Sequence, residues 1–160
     1  MKPRFVDKGE FTIVGLASYF SKSTTAEIPP LWCKFVQRVG ELKNADPIVC
    51  YGYCDQPEDV PDGKEFRYMA CVEVKEQEDI PKDMTAVKVP AKQYAVFTHK
   101  GAVNEIGRTY DYIYGTWLPE SGYEADGCHD FEYYDERFNS QNPMDPQSEV
   151  DVYVPVKKKA

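Results

Sequence analysis

The sequence predicts an α+β fold built from two similar βαββ halves. Three observations carry this: extended segments with period-two alternation, two amphipathic helical stretches among them, and the same order of elements in each half. At 160 residues the chain is long enough to bury a core as one domain spanning 1–160. The repeat halves fall at about 5–80 and about 85–156.

The first extended segment, 10–20 (EFTIVGLASYF), is β-branched and aromatic. A polar loop, 21–25, leads to Ile28-Pro29-Pro30. Proline suits the first helical position, where its missing N–H has no helical partner. Apolar residues then recur at Leu31, Phe35, Val39 and Leu42, with Trp32 and Val36 beside them. Lys34, Gln37, Arg38, Glu41 and Lys43 take the wet side. This spacing predicts a helix of about 13 residues that stops at Asn44, with Pro47 just beyond. Residues 48–53 (IVCYGY) read as a strand, and 55–64 as a loop with Pro61-Asp62-Gly63 turn chemistry. Residues 65–74 (EFRYMACVEV) complete a hairpin, with Phe66, Tyr68, Ala70, Val72 and Val74 on one side and Arg67, Met69, Cys71 and Glu73 on the other.

The second half repeats the order. After a connector containing a short strand-like piece (86–90), residues 93–100 (QYAVFTHK) read as a strand broken by Gly101, with Thr98-His99-Lys100-Gly101 at its end reading as a turn. A helix over about 102–118 sets Val103, Ile106, Tyr110, Ile113 or Tyr114, and Trp117 on one stripe, away from Glu105, Arg108 and Asp111. Pro119 ends it. Residues 130–136 (DFEYYDE) form the next strand. Residues 149–156 (EVDVYVPV) form the last, with its valines inward and Asp151 and Tyr153 outward. The repetition is one of element order and length, not of identical residues. Two such units would each carry a helix on one sheet face. The free faces of the sheets, or the seam between the halves, are then expected to form a groove, where small ligands usually sit.

A net charge of −8 and a pI near 4.8 argue against direct nucleic-acid binding, which needs a positive footprint. The one basic run, Lys157-Lys158-Lys159, reads as a solvated tail. No apolar stretch approaches the ~20 residues of a membrane span, and the N-terminus lacks the apolar core of a signal peptide. The five cysteines, odd in number and scattered, predict thiols in a reducing cytoplasm. Cys50 and Cys54, ~13 Å apart along a strand, are too distant to share a metal. His99 and His129 belong to unrelated segments, and no phosphate-cradling glycine pattern or nucleophile–histidine arrangement is present. No metal or cofactor is expected. The 12 tyrosines, 8 phenylalanines and 2 tryptophans fit either strand packing or an aromatic cleft.

The segments FTIVGLASYFS (11–21), IPPLWCKF (28–35), YGYCD (51–55), FRYMACVEV (66–74), VPAKQYAVFTHKG (89–101), IYGTWLPESGYE (113–124), DFEYYDERF (130–138) and SEVDVYVPV (148–156) stand in an order that resembles the GyrI-like small-molecule-binding family. That family includes effector-binding domains of multidrug-responsive bacterial regulators and stand-alone relatives. The resemblance runs from about residue 5 to residue 156 and implies two βαββ units around a ligand groove. It also implies that Glu132, in Phe131-Glu132-Tyr133-Tyr134, faces that groove. Such regulators carry a helix-turn-helix domain before the effector domain. The chain has no room for one, so it is expected to act alone or through a protein partner.

Read without the family, Glu132 is a mid-strand carboxylate that shares a face with Tyr134, opposite to Phe131 and Tyr133. A desolvated carboxylate can pair with a cationic guest or act as a general base on water. Trp117 stands between core packing and a pocket wall, and Trp32 leans to the core. Tyr51, Tyr53, Tyr68 and Tyr114 are further candidate lining residues, suited to planar or cationic guests. The expected function is stand-alone binding of hydrophobic, cationic or planar small molecules, for toxin sensing or sequestration. Two alternatives come from the resemblance: a hydrolase that opens cyclopropane-type electrophiles with Glu132-activated water, and a protein that shields a topoisomerase.

Overall fold

The computed structural model describes residues 1–56, 65–75 and 79–160. The Pro61-Asp62-Gly63 turn lies outside these. The described residues divide into two units, one formed by Gly9–Ala91 and the other by Met1–Lys8 with Lys92–Ala160. Strand β1 (Arg4–Lys8) belongs to the second unit although it opens the chain.

In the Gly9–Ala91 unit, β2 (Phe11–Phe20) pairs antiparallel with β4 (Phe66–Val74) and β5 (Thr85–Val89), and β4 pairs with β3 (Cys50–Asp55). Helix α1 (Ile28–Arg38), with prolines in its first turn, continues as a 3-10 turn over Val39–Glu41. Its apolar stripe buries Phe35 against Val14, Leu16, Ala70, Val72 and Val74, with Leu31, Trp32, Val39 and Leu42 packed around them. Val36 departs from the expected stripe. It is 61% exposed, because it sits one residue (~100° around the helix) from Phe35. The alternation expected for β4 is correct in register, but both faces are buried: Met69 and Cys71 are as covered as Ala70 and Val72.

A close backbone approach fixes this sheet. A Cβ at Gly15 would lie 2.0 Å from the Ala70 carbonyl oxygen and 2.6 Å from Cys71 Cα, so β2 admits no side chain at this rung.

The other unit has the same plan. Strand β6 (Lys92–Lys100) lies between β1 and β9 (Glu149–Lys158), and β9 pairs on its other side with β8 (Asp130–Tyr134). A short strand, β7 (Tyr123–Ala125), pairs with the end of β9. This places Lys157 and Lys158 in a strand rather than in the expected tail, with exposed side chains. Helix α2 (Ile106–Tyr112) runs into a wide π turn, Ile113–Trp117, closed by the Leu118 amide donating to the Ile113 carbonyl five residues back. Pro119 accounts for the widening, since in a regular helix its ring would clash with the carbonyl of Gly115. The core on this side joins Ala95, Phe97, Val152, Val154 and Val156 to Ile113, with Ile106, Tyr110 and Trp117 against it. Ile113, not Tyr114, therefore holds the stripe.

Two expectations for this unit are corrected. Asp151 and Tyr153 do not point to solvent; they are 1% and 9% exposed. The second sheet face is covered as well, with Phe131 stacked on Tyr153 at 4.6 Å and Tyr94 edge-on to both. His99 is a buried strand residue rather than part of a turn. Its Nδ1 meets the Thr109 hydroxyl at 2.8 Å and its Nε2 donates to the Ala102 carbonyl at 3.0 Å.

Candidate functional site

Alternation along β8 puts Asp130, Glu132 and Tyr134 on one face, and the rung opposite Glu132 is Val152, a member of the core under α2. The Glu132 side chain therefore lies on the helix side of its sheet, 6% exposed. Its Oε1 accepts the Tyr134 hydroxyl at 2.6 Å and its Oε2 accepts the Tyr110 hydroxyl at 3.0 Å. One turn further along the helix, the Tyr114 hydroxyl donates to Asp130 Oδ2 at 2.6 Å. Two tyrosines spaced i, i+4 thus meet two carboxylates spaced i, i+2, because both spacings return side chains to one face. Tyr110 and Asp130 were not among the expected site residues. The signal that could have found them was the Tyr110–Tyr114 spacing set against Asp130–Glu132.

Trp117 packs edge-on to Phe97 at 5.0 Å and lies against Phe5 and Tyr123, each at 6.2 Å. It is thus engaged in the aromatic cluster at the end of α2. Tyr51, Tyr53 and Tyr68 belong to the other unit and do not share one face there. Tyr68 is on the α1 side, where it accepts the Trp32 indole N–H at 2.9 Å. Tyr51 and Tyr53 stand opposite Cys71 and Met69, on the side away from α1, and the Tyr51 hydroxyl donates to Glu73 at 3.1 Å.

A matching family model, described as a GyrI-like small molecule binding domain, spans residues 1–157. The chain belongs to the GyrI-like family. It is 42% identical over 157 residues to the transcriptional regulator BrlR of Pseudomonas aeruginosa, which accounts for 98% of this chain but 56% of that regulator. The chain thus spans little more than half the length of its curated relative. Among solved structures, SAV2435 bound to tetraphenylphosphonium matches with a TM-score of 0.77 at 18% identity, over 98% of this chain and 94% of that one. A hydrolase encoded by lin2189 from Listeria innocua matches at 0.55 and 10% identity, over 98% and 92%. Both structural likenesses show the fold.

A second set of charges lies in the same unit of this GyrI-like domain. Asp151 Oδ2 accepts from Arg4 at 2.7 Å and Arg137 at 2.8 Å, and its Oδ1 accepts the Thr98 hydroxyl at 2.7 Å. Burial works to raise the Asp151 pKa. The hydrogen bonds from Arg137, Arg4 and Thr98 outweigh it and hold the carboxyl below its ordinary range. Burial also pushes the Tyr94 hydroxyl well above its ordinary value, and that hydroxyl meets His129 Nε2 at 3.0 Å. In the Gly9–Ala91 unit, an open depression of about 390 Å³ lies between β2 and α1, lined by Leu16, Leu31, Lys34 and Arg38 among others; neither Glu132 nor its tyrosines belong to it. Among the described residues no group of three or more His, Cys, Asp or Glu side chains is placed to hold a metal ion, and no helix is long and apolar enough to cross a membrane.

Proposed function

We propose that the chain binds hydrophobic organic cations, with the Glu132 carboxylate as the charge partner and neighbouring aromatic rings as the apolar surround. The observation that carries this reading is a mid-strand carboxylate 6% exposed and oriented by two tyrosine hydroxyls. The hydroxyl donors fix the direction of the carboxylate oxygens. A delocalised cation gains from such a charge without the dehydration cost of a small ammonium ion, and aromatic rings add cation–π attraction. Binding of tetraphenylphosphonium by SAV2435, a protein of the same fold, supports the ligand class.

Isothermal titration with tetraphenylphosphonium tests the proposal. A unit charge ~5 Å from the carboxylate, at an effective dielectric of ~20, gains roughly 3 kcal/mol before desolvation is subtracted. Glu132→Gln, which keeps the shape, should therefore weaken binding about tenfold to a hundredfold. Equal affinity in both proteins, or no binding below millimolar, would overturn the reading. The same carboxylate is also the feature that favours hydrolysis of a strained, cyclopropane-type electrophile by activated water. Product formation followed by mass spectrometry addresses this, and turnover that survives Glu132→Ala rules Glu132 out as the base.

A further inference from the structure

The helix that meets the Glu132 carboxylate also holds the start of the chain. Tyr110 and Tyr114 reach Glu132 and Asp130. From the same helical run, the Tyr112 hydroxyl donates to the Met1 carbonyl at 3.1 Å, and the Trp117 ring lies 6.2 Å from that of Phe5. Phe5 in turn stacks on Tyr123 at 5.0 Å. The outermost strand of this unit, β1, is thus fastened by its ladder to β6, by two aromatic contacts, by the Tyr112 hydrogen bond, and by the Arg4–Asp151 ion pair.

We infer that occupancy of the Glu132 site is transmitted through α2 and its π turn to β1, so that the N-terminal strand is the output element of the domain. This rests on the ligand reading above. The physical route is short. A cation drawn to Glu132 competes for the oxygen that Tyr110 now bonds, which shifts the rigid helix on its sheet. Tyr112 and Trp117 move with it, two and seven residues further along. The element with two states is β1 itself, docked or released. An edge strand of five residues, with Phe5 43% exposed, opens at lower free energy than the central strands. A ligand that changes how well the helix receives Phe5 and Met1 biases that equilibrium, and by linkage the state of β1 biases ligand affinity by the same factor.

Hydrogen–deuterium exchange on the full chain tests this, with peptides covering β1 as the readout and β5 as the reference strand. Saturating tetraphenylphosphonium should change β1 exchange about fivefold or more, the lower end of ordinary allosteric coupling, and leave β5 unchanged. Glu132→Gln without ligand should also alter β1 exchange, since it perturbs the same oxygens. Tyr110→Phe serves in its place if the Gln variant fails to fold by circular dichroism. Phe5→Leu, which weakens β1 docking, should shift tetraphenylphosphonium affinity in the direction linkage requires and by no more than the factor seen in exchange. If the cation binds and β1 is unmoved, or if β1 and β5 change together, the transmission inference falls and the ligand reading stands. If the cation does not bind, the ligand reading falls, and the ligand-free variant decides transmission: unchanged β1 exchange there overturns it.

Discussion

Replacing Asp151 with asparagine removes a charge whose surroundings are built to need it. The side chain is 1% exposed and accepts from Arg4, Arg137 and Thr98, which come from β1, the segment after β8, and β6. Asparagine keeps the volume but offers one acceptor oxygen, so one bonding direction turns from acceptor to donor. Truncating one side of a buried ion pair costs ~3–5 kcal/mol, since the remaining charge is stranded. The guanidinium partners here are 53% and 32% exposed, and water screens them, so a loss of about 2–3 kcal/mol at pH 7 is expected. The pH dependence follows from the depressed pKa of Asp151. Aspartate in the unfolded chain titrates near ~3.9 and the native group lower, so the native state holds this proton less tightly. The stability from Asp151 is therefore fully present above that pH and is lost as pH falls through the native pKa. Urea melts of both proteins should show a constant gap from neutral pH down to about 5 that narrows below about 4. A gap under ~0.5 kcal/mol at pH 7, or one just as wide at pH 3, would refute the reasoning.

Gly15→Ala should destabilise by roughly 3 kcal/mol or more, the upper end of overpacking costs, because the new methyl meets backbone of β4 that no rotamer change can move. Urea denaturation measures this, and a loss below ~1 kcal/mol would show that the two strands separate easily. Thiol labelling at pH 8 should modify Cys33 and Cys128, which are exposed, ahead of Cys71, whose thiol burial pushes well above the ordinary range. Peptide mapping of the modified sites would contradict the buried setting of Cys71 if that residue reacted early.

Period-two and period-3.6 patterns in the sequence located every long element, since β2, β4, β6, β9 and α1 each present a continuous apolar face. They were silent on β1 and β7, which are too short and too polar (RFVDK, YEA) for a period to register. Alternation also misjudged Asp151. It assumes that the face opposite the core is wet, whereas here arginine side chains and stacked rings close that face too. At the candidate site, alternation paired Glu132 with Tyr134 correctly, because both are on one strand. Tyr110 comes from a separate helix, so its bond to Glu132 depends on how α2 sits on the sheet, which no local pattern encodes.

The two halves share their strand order, yet they differ where the chemistry lies. In one unit the rung Leu16–Ala70–Gly52 crosses β2, β4 and β3 beneath α1. In the other, Phe97–Val152–Glu132 crosses β6, β9 and β8 beneath α2. Gly52 is thus the β3 residue opposite Ala70, and Glu132 the β8 residue opposite Val152. The helices differ as well: Trp32, four residues after Ile28 in α1, donates to Tyr68 on β4, while Tyr110, four residues after Ile106 in α2, donates to the carboxylate on β8. A buried carboxylate is costly, and a fold can replace it with apolar packing at little loss when nothing requires the charge. The sheet beneath α1 has no carboxylate on the Leu16–Ala70–Gly52 rung, whereas the sheet beneath α2 has Glu132 on the Phe97–Val152 rung, so the shared strand order alone does not demand a carboxylate. That contrast is what the proposed guest-binding role of Glu132 would account for.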